Sequence, residues 1–417
     1  MHMTTSCLRL GRSLAVLILA TAVGRAATQP SFRFDFRAVP AAPGWIGLTP
    51  AQIYSAEAGF GFELTAQPVS GVGCVTGERP FLFSVGVPEG NYRVTVTFGS
   101  DNSGSTNTVK AELRRLMLEQ VRTEQGAAAA RSFVVNVRTP QIPGGDFVRL
   151  KPREKTNEMV NWDSRLTLEF NGSRPCLRTL EIAPAAVPTV FLLGDSTVCD
   201  QPREPWNSWG QMLPRFFKPE IAVANHAQSG ESIRSSLGAR RFEKVFSLMK
   251  PGDWLFVQFG HNDMKDQVTN ALALYRENLK KIVARTREQG GTPVLVTSME
   301  RKSGIERDTL GAYPDAVRAV AKEEGVALID LHAASKVLYR ALGANLEAAF
   351  QDGTHHNNYG SYELARWLVE GICKNVPTLA KSLADDVGPF DPRQPDPVAR
   401  FWMPPSPGLS NLKPEGN

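Results

Sequence analysis

The 417-residue sequence predicts a two-part α/β protein: a β-sandwich over residues 28–187, then a doubly wound, five-stranded parallel sheet over residues 188–384. Two observations carry this expectation. Up to Ile182-Ala183-Pro184-Ala185-Ala186-Val187-Pro188, apolar residues alternate with polar ones in short runs; beyond it, apolar runs alternate with helical stretches. The length suits two domains, and 42% hydrophobic with 21% charged residues can bury a core in each.

In chain order, residues 1–27 read as a secretory signal peptide. Arg9 and Arg12 precede the apolar run Leu14 to Val23, and the small residues of Gly24-Arg25-Ala26-Ala27 supply a cleavage site. The run is too short to span a bilayer, and no later segment resembles a membrane helix. A secreted or periplasmic location follows. Losing Arg9, Arg12 and Arg25 brings the formal charge of +5 down to about +2, so neither a nucleic-acid nor an acidic-membrane partner is implied. Cys7 leaves with the signal. Cys74, Cys176, Cys199 and Cys373 remain, and of these Cys74 and Cys176 fall in the same half and can pair; the sequence does not decide the pairing. There is neither CxxC spacing nor an HExxH motif, so no metal and no cofactor is expected.

In the first half Phe32, Phe34 and Phe36 alternate with polar neighbours. So do Tyr92, Val94, Val96 and Phe98; Phe133, Val135 and Val137; and Leu166, Leu168 and Phe170. These are half-buried antiparallel strands, and their number suggests a sandwich. Ala111 to Arg122 fits a long strand or a helix equally. In the second half strands are expected at Thr189–Leu193, Ile221–Ala224, Trp254–Phe259, Pro293–Ser298 and Val326–Leu331. Helices are expected at Trp209–Phe217, Ser236–Met249, Ala271–Gln289, Tyr313–Glu324 and Tyr359–Cys373. Residues 385–417, rich in Pro, Asp and Gly, form a tail that wraps the surface or lies loose.

Four chemically loaded clusters follow the parallel strands, at the edge where open α/β sheets bind ligands. Gly194-Asp195-Ser196 ends the first strand with a serine hydroxyl; alone, it is matched by a helix-capping serine. Asn225-His226-Ala227-Gln228-Ser229-Gly230-Glu231-Ser232 follows the second, where Gly230 can offer an unhindered N–H to an oxyanion. Gly260-His261-Asn262-Asp263 follows the third, with Asn262 as an amide donor or, more plainly, a turn cap. Asp352-Gly353-Thr354-His355 places a carboxylate three residues before an imidazole, so Asp352 can hold one ring nitrogen while the other takes the proton of Ser196. His356 is the competing base. His226 and His261 are candidates to line the cleft, ordering its loops or touching substrate; His332 reads as structural, and Trp206, Trp209, Arg234 and Arg301 suit a sugar ring or a uronate carboxylate as well as core packing.

Residues 188–375 resemble the SGNH (GDSL-type) hydrolases, whose four motifs match Ser196, Gly230, Asn262 and His355. Gly194-Asp195-Ser196-Thr197, Ala227-Gln228-Ser229-Gly230-Glu231-Ser232 and Asp352-Gly353-Thr354-His355 resemble rhamnogalacturonan acetylesterases of carbohydrate esterase family 12 in particular. The resemblance implies a flavodoxin-like sheet with Ser196 as nucleophile, His355 as base and Asp352 as its orienting partner. It also implies an oxyanion hole made by the backbone of Ser196, the backbone of Gly230 and the side chain of Asn262. The first half resembles the galactose-binding-like modules that precede such esterase domains. The expected activity is removal of acetyl groups from acetylated plant cell-wall polysaccharide, with no cofactor. The alternatives are another acyl donor (acetylated xylan, peptidoglycan or a lipid) and a non-catalytic polysaccharide-binding protein.

Overall fold

The structure, a computed structural model, describes residues 30–37, 41–64, 66–408 and 413–415. The signal peptide expected at residues 1–27 lies outside them.

From Phe32 to Pro184 the described chain is built of strands in two large sheets. In one, Ala129–Val137, Gly90–Phe98, Cys176–Pro184, Phe32–Asp35 and Ile46–Gly47 lie side by side, and the hairpin Val69–Gly71/Cys74–Thr76 adds to Cys176–Pro184. In the other, the order is Phe60–Phe62, Phe81–Gly86, Arg165–Asn171, Ser105–Ala111, Arg115–Thr123, all antiparallel. The alternating side chains explain why the sheets associate. Tyr92, Val94, Val96 and Phe98 of the first and Phe81, Phe83, Val85, Leu166, Leu168 and Phe170 of the second are buried in one shared cluster. The rings of Phe34 and Phe83 meet edge-on at 5.1 Å between the sheets.

The ambiguous stretch at 111–122 belongs to a hairpin, Ser105–Ala111 and Arg115–Thr123, whose turn carries Glu112 and Arg114 at positive φ. Its alternation is blurred because Lys110, Arg114 and Arg115 are buried, each with a carboxylate partner from the second half.

That half is the expected parallel sheet. Its strands are β1 (Thr189–Gly194), β2 (Ala222–Asn225), β3 (Trp254–Gln258), β4 (Thr292–Val296) and β5 (Ala327–Ile329), in the order β2-β1-β3-β4-β5. Successive residues face opposite layers. Val190, Leu192, Phe256, Val294 and Val296 pack with residues of helices Leu331–Leu342 and Asn358–Asn375. Phe191, Leu193, Leu255, Val257 and Leu295 pack with residues of Arg241–Leu248, Ala271–Glu288 and Tyr313–Glu324. A sheet covered on both faces needs strands that are apolar throughout, as β1 is.

Most boundaries shift by a residue or two, and three segments depart further from expectation. The helix expected at 236–249 is two helices, Ile233–Gly238 and Arg241–Leu248, broken where Arg240 adopts φ +61°. Leu331 opens a helix instead of closing a strand, because the Asp330 carboxylate caps it by accepting from the Ala333 N–H at 3.2 Å. The segment expected as helix at 209–217 is one α-turn, Trp209–Met212, followed by a 3₁₀ turn through Phe216, with Pro214 inside it.

The two halves meet through buried ion pairs. Arg115 Nε lies 2.7 Å from Asp200 Oδ2, Arg114 is 2.7 Å from Glu204, and the wholly buried Arg241 binds Glu154. Past Asp385 the chain runs over both halves: the Tyr359 hydroxyl donates to the Asp396 carbonyl, and the buried Lys110 ammonium donates to the Pro404 carbonyl at 2.9 Å. Among the described residues no helix is long and apolar enough to cross a membrane.

Candidate active site

The sheet order reverses between β1 and β3, and the loops leaving these two strands open the crevice where such sheets bind ligands. At the end of β1, Gly194 has no room for a side chain: a Cβ there would sit 2.5 Å from Val198 Cγ2 and 2.7 Å from the Gln258 carbonyl. The chain then turns about Asp195, whose Oδ1 accepts from Thr197 N at 2.9 Å and Thr197 Oγ1 at 2.7 Å. No regular helix follows for Ser196 to cap. Its hydroxyl instead faces His355, with Oγ 2.8 Å from Nε2.

The loop at 352–355 orients its own imidazole. Asp352 Oδ1 accepts from the N–H groups of Thr354 (2.7 Å) and His355 (2.6 Å), which leaves Oδ2 to accept from His355 Nδ1 at 2.9 Å. Burial opposes ionisation of Asp352, but the hydrogen bond and charge of His355 together with the two N–H groups outweigh it, holding the carboxyl well below its ordinary pKa. Ser196, His355 and Asp352 thus form one continuous hydrogen-bonded chain, and all three are largely buried.

Gly230 takes φ +75°, a conformation open to glycine. Asn262, after β3, donates from Nδ2 to the Glu231 carbonyl at 3.0 Å, while its Oδ1 accepts from Lys265 at 3.3 Å. The amide is therefore fixed beside the Gly230–Glu231 segment, and its second amide hydrogen has no protein partner among the described residues. Asp263 reinforces this junction by accepting from Ile233 N at 2.9 Å, and burial pushes its carboxyl up to about 7.

The remaining candidates separate cleanly. His356 is structural: Nε2 lies 2.9 Å from the Tyr339 hydroxyl, its ring packs 4.2 Å from that of Phe350, and burial pushes it down to about 3. His226 is wholly buried between Trp162 and Phe191. His332 is held by Glu300 at 3.1 Å and Arg318 at 3.2 Å, as a structural histidine should be. Trp209 is core, its indole N–H donating to Gln258; Arg234 pairs with Asp266; and Arg301 donates to the carbonyls of His261 and Thr309. Only Trp206 of that group reaches the cleft. Its ring stands edge-on to His355 at 5.8 Å and lines a cavity of about 460 Å³ with Arg153, Asn157, Gln201, Arg203 and Lys413.

His261 lies under the serine turn, with Nδ1 3.2 Å from Asp195 Oδ2 and Nε2 donating to the Met299 carbonyl at 3.0 Å, so of its two expected roles, ordering the loops or touching substrate, the contacts are those of the first. Sequence reasoning missed several further groups. Gln201 donates to the Ser196 carbonyl at 2.7 Å. Arg153 and Asn157 reach the cleft from the first half of the chain. Only the closeness of Gln201 to Ser196 was a signal; the others meet the site through tertiary structure alone. The four described cysteines are thiols, and Cys74 and Cys176 lie buried on paired strands.

Residues 192–361 match the GDSL-like lipase/acylhydrolase family. The chain is 38% identical over 205 residues to the rhamnogalacturonan acetylesterase RhgT of Bacillus subtilis (strain 168), a match covering 44% of this chain and 88% of that protein. It is 31% identical over 200 residues to the probable rhamnogalacturonan acetylesterase YesY of the same strain, covering 44% and 91%. The uncharacterized esterase YxiM, also from that strain, matches at 27% identity over 375 residues, 84% of this chain and 92% of the relative.

Proposed function

The chain belongs to the GDSL-like lipase/acylhydrolase family and is a carboxylic ester hydrolase, and on that premise we propose that it removes acetyl groups from a pectic polysaccharide, rhamnogalacturonan. The observation that carries this reading is the 2.8 Å contact of Ser196 Oγ with His355 Nε2, backed by Asp352 at 2.9 Å. Ser196 Oγ attacks the acetyl carbonyl carbon while its proton passes to His355 Nε2. Asp352 keeps hydrogen on Nδ1 and stabilises the imidazolium that forms. The N–H groups of Ser196 and Gly230 and the Asn262 amide receive the negative charge on the carbonyl oxygen. His355 returns the proton to the departing sugar oxygen, leaving an acetyl-enzyme. Water then gives a proton to the same nitrogen and attacks the acetyl carbon, and acetate leaves as Ser196 is regenerated.

The polysaccharide assignment rests on the two relatives named for rhamnogalacturonan and on the cavity beside Trp206, where an aromatic ring and a lining of three cations (Arg153, Arg203, Lys413) and one carboxylate (Glu415) suit a polar sugar chain. We read residues 28–187 as a galactose-binding-like β-sandwich, residues 1–27 as a secretory signal and the enzyme as secreted or periplasmic, where its polymer would be met. Acetate release from acetylated rhamnogalacturonan, measured beside acetylated xylan, tests the proposal. Preference for the pectic polymer is expected; equal or greater release from xylan overturns the substrate assignment while leaving the esterase intact.

A further inference from the structure

The peptide joining Ser229 to Gly230 is held from outside the catalytic sheet. Lys151, which lies before the parallel sheet begins, donates from Nζ to the Ser229 carbonyl at 2.6 Å and pairs with Glu231 at 3.3 Å and Glu415 at 3.2 Å. Its Nζ lies 3.2 Å from the point a Cβ on Gly230 would occupy. Neighbouring residues grip the same loop: Glu158 accepts from the Gln228 side-chain amide at 2.8 Å, and Glu154 binds Arg241 behind Glu231.

The carbonyl of Ser229 and the N–H of Gly230 belong to one planar amide, so whatever fixes the oxygen also aims the hydrogen. A glycine at φ +75° gives that amide unusual freedom to rotate. An ammonium on the oxygen removes this freedom. It also draws electron density toward the oxygen, making the N–H a stronger donor.

We infer that Lys151 is a positioning residue for ester hydrolysis, setting the Gly230 N–H toward the oxyanion, and that the first half of the chain thereby completes the catalytic apparatus. This rests on the reading of Gly230 as an oxyanion donor. The charge of Lys151 is wanted for direction and polarisation, not for contact with substrate, so its loss should appear in the chemical step.

The test uses the full-length protein and p-nitrophenyl acetate. Lys151→Met should lower kcat by about tenfold or more, part of the 10²–10³ that loss of a whole donor costs, with KM within about twofold. Lys151→Arg should restore most of kcat. Because Lys151 and Asn262 serve the same oxyanion, the loss in K151M/N262A should fall well short of the product of the single losses. Arg215→Met, which removes a different link between the halves (Arg215 to Glu119, 2.9 Å), should leave kcat unchanged. A K151M kcat within about twofold of wild type, losses equal to those of R215M, or strictly multiplicative losses with N262A would each overturn the inference. If K151M does not fold, Lys151→Gln is read against the same thresholds. Ser196→Ala separates the two levels: wild-type turnover in S196A sinks the parent reading, whereas an inactive S196A beside an unimpaired K151M sinks this one alone.

Discussion

The substitution Asp352→Asn exchanges one oxygen of the site for an amide nitrogen and should nearly silence it. The two N–H groups of Thr354 and His355, at 2.7 and 2.6 Å, both need an acceptor, so the new amide oxygen must take the place of Oδ1. The amide nitrogen then occupies the Oδ2 position, 2.9 Å from His355 Nδ1, and can only donate. Nδ1 is forced to accept, the ring hydrogen moves to Nε2, and Nε2 points that hydrogen at Ser196 Oγ, whose proton it can no longer take. A triad histidine trapped in the wrong tautomer loses about 10⁴ in kcat in serine proteases, which is about 5.5 kcal/mol at about 1.4 per tenfold. Turnover of p-nitrophenyl acetate at saturation reads the loss. Thermal unfolding checks that D352N keeps wild-type stability, since both loop hydrogen bonds survive, whereas Asp352→Ala should lose stability as well. A D352N enzyme within tenfold of wild type would refute the tautomer argument and with it the orienting role of Asp352.

Ser196→Ala and His355→Ala should each abolish most ester turnover, while His356→Ala should keep its chemistry and lose about 1–3 kcal/mol of stability with its Tyr339 and Phe350 contacts; activity lost in H356A but not in H355A would reverse the assignment of the base. Burial pushes the Glu112 carboxyl from 4.5 up to about 8, so this group's stabilisation is complete below pH 4.5 and is lost as pH rises through about 8. Glu112→Gln should therefore flatten the fall in melting temperature across that window, and an unchanged slope counts against it. Oxidised glutathione should convert the thiols of Cys74 and Cys176, buried on paired strands, to a disulfide, releasing two reduced glutathione per bond, with Cys176, whose pKa is drawn down to about 6, as the attacking thiolate. Mass spectrometry should find the peptide cross-link and none in Cys176→Ser; two alkylatable thiols after oxidation would exclude it.

The parallel strands were legible because a sheet covered on both faces requires continuous apolar runs, and Tyr313–Glu324 was legible to its ends because Pro314 opens the helix and Gly325 closes it. Ser196, Asp352 and His355 were legible because local turns present them. What stayed hidden depends on distant partners. Lys110, Arg114 and Arg115 blur the Ser105–Thr123 hairpin because their carboxylates come from Glu204 and Asp200, far along the chain. The break at Arg240 is announced only by Gly238, two residues before it, and a lone glycine in a helical run does not by itself end the helix. Lys151 and Ser229 are 78 residues apart, and nothing in either neighbourhood points to the other.

The buried pairs Arg115–Asp200 and Arg241–Glu154 also bear on how the protein comes into being. Synthesis runs from the amino end, so Arg115 leaves the ribosome well before Asp200, and Glu154 well before Arg241. Until those partners arrive, the nascent first half carries unsatisfied ions on a surface destined to be dry, and an unpaired buried ion costs about 3–5 kcal/mol. That surface has to stay hydrated and open while the chain lengthens. Drying of that seam therefore waits until both halves of the chain are present.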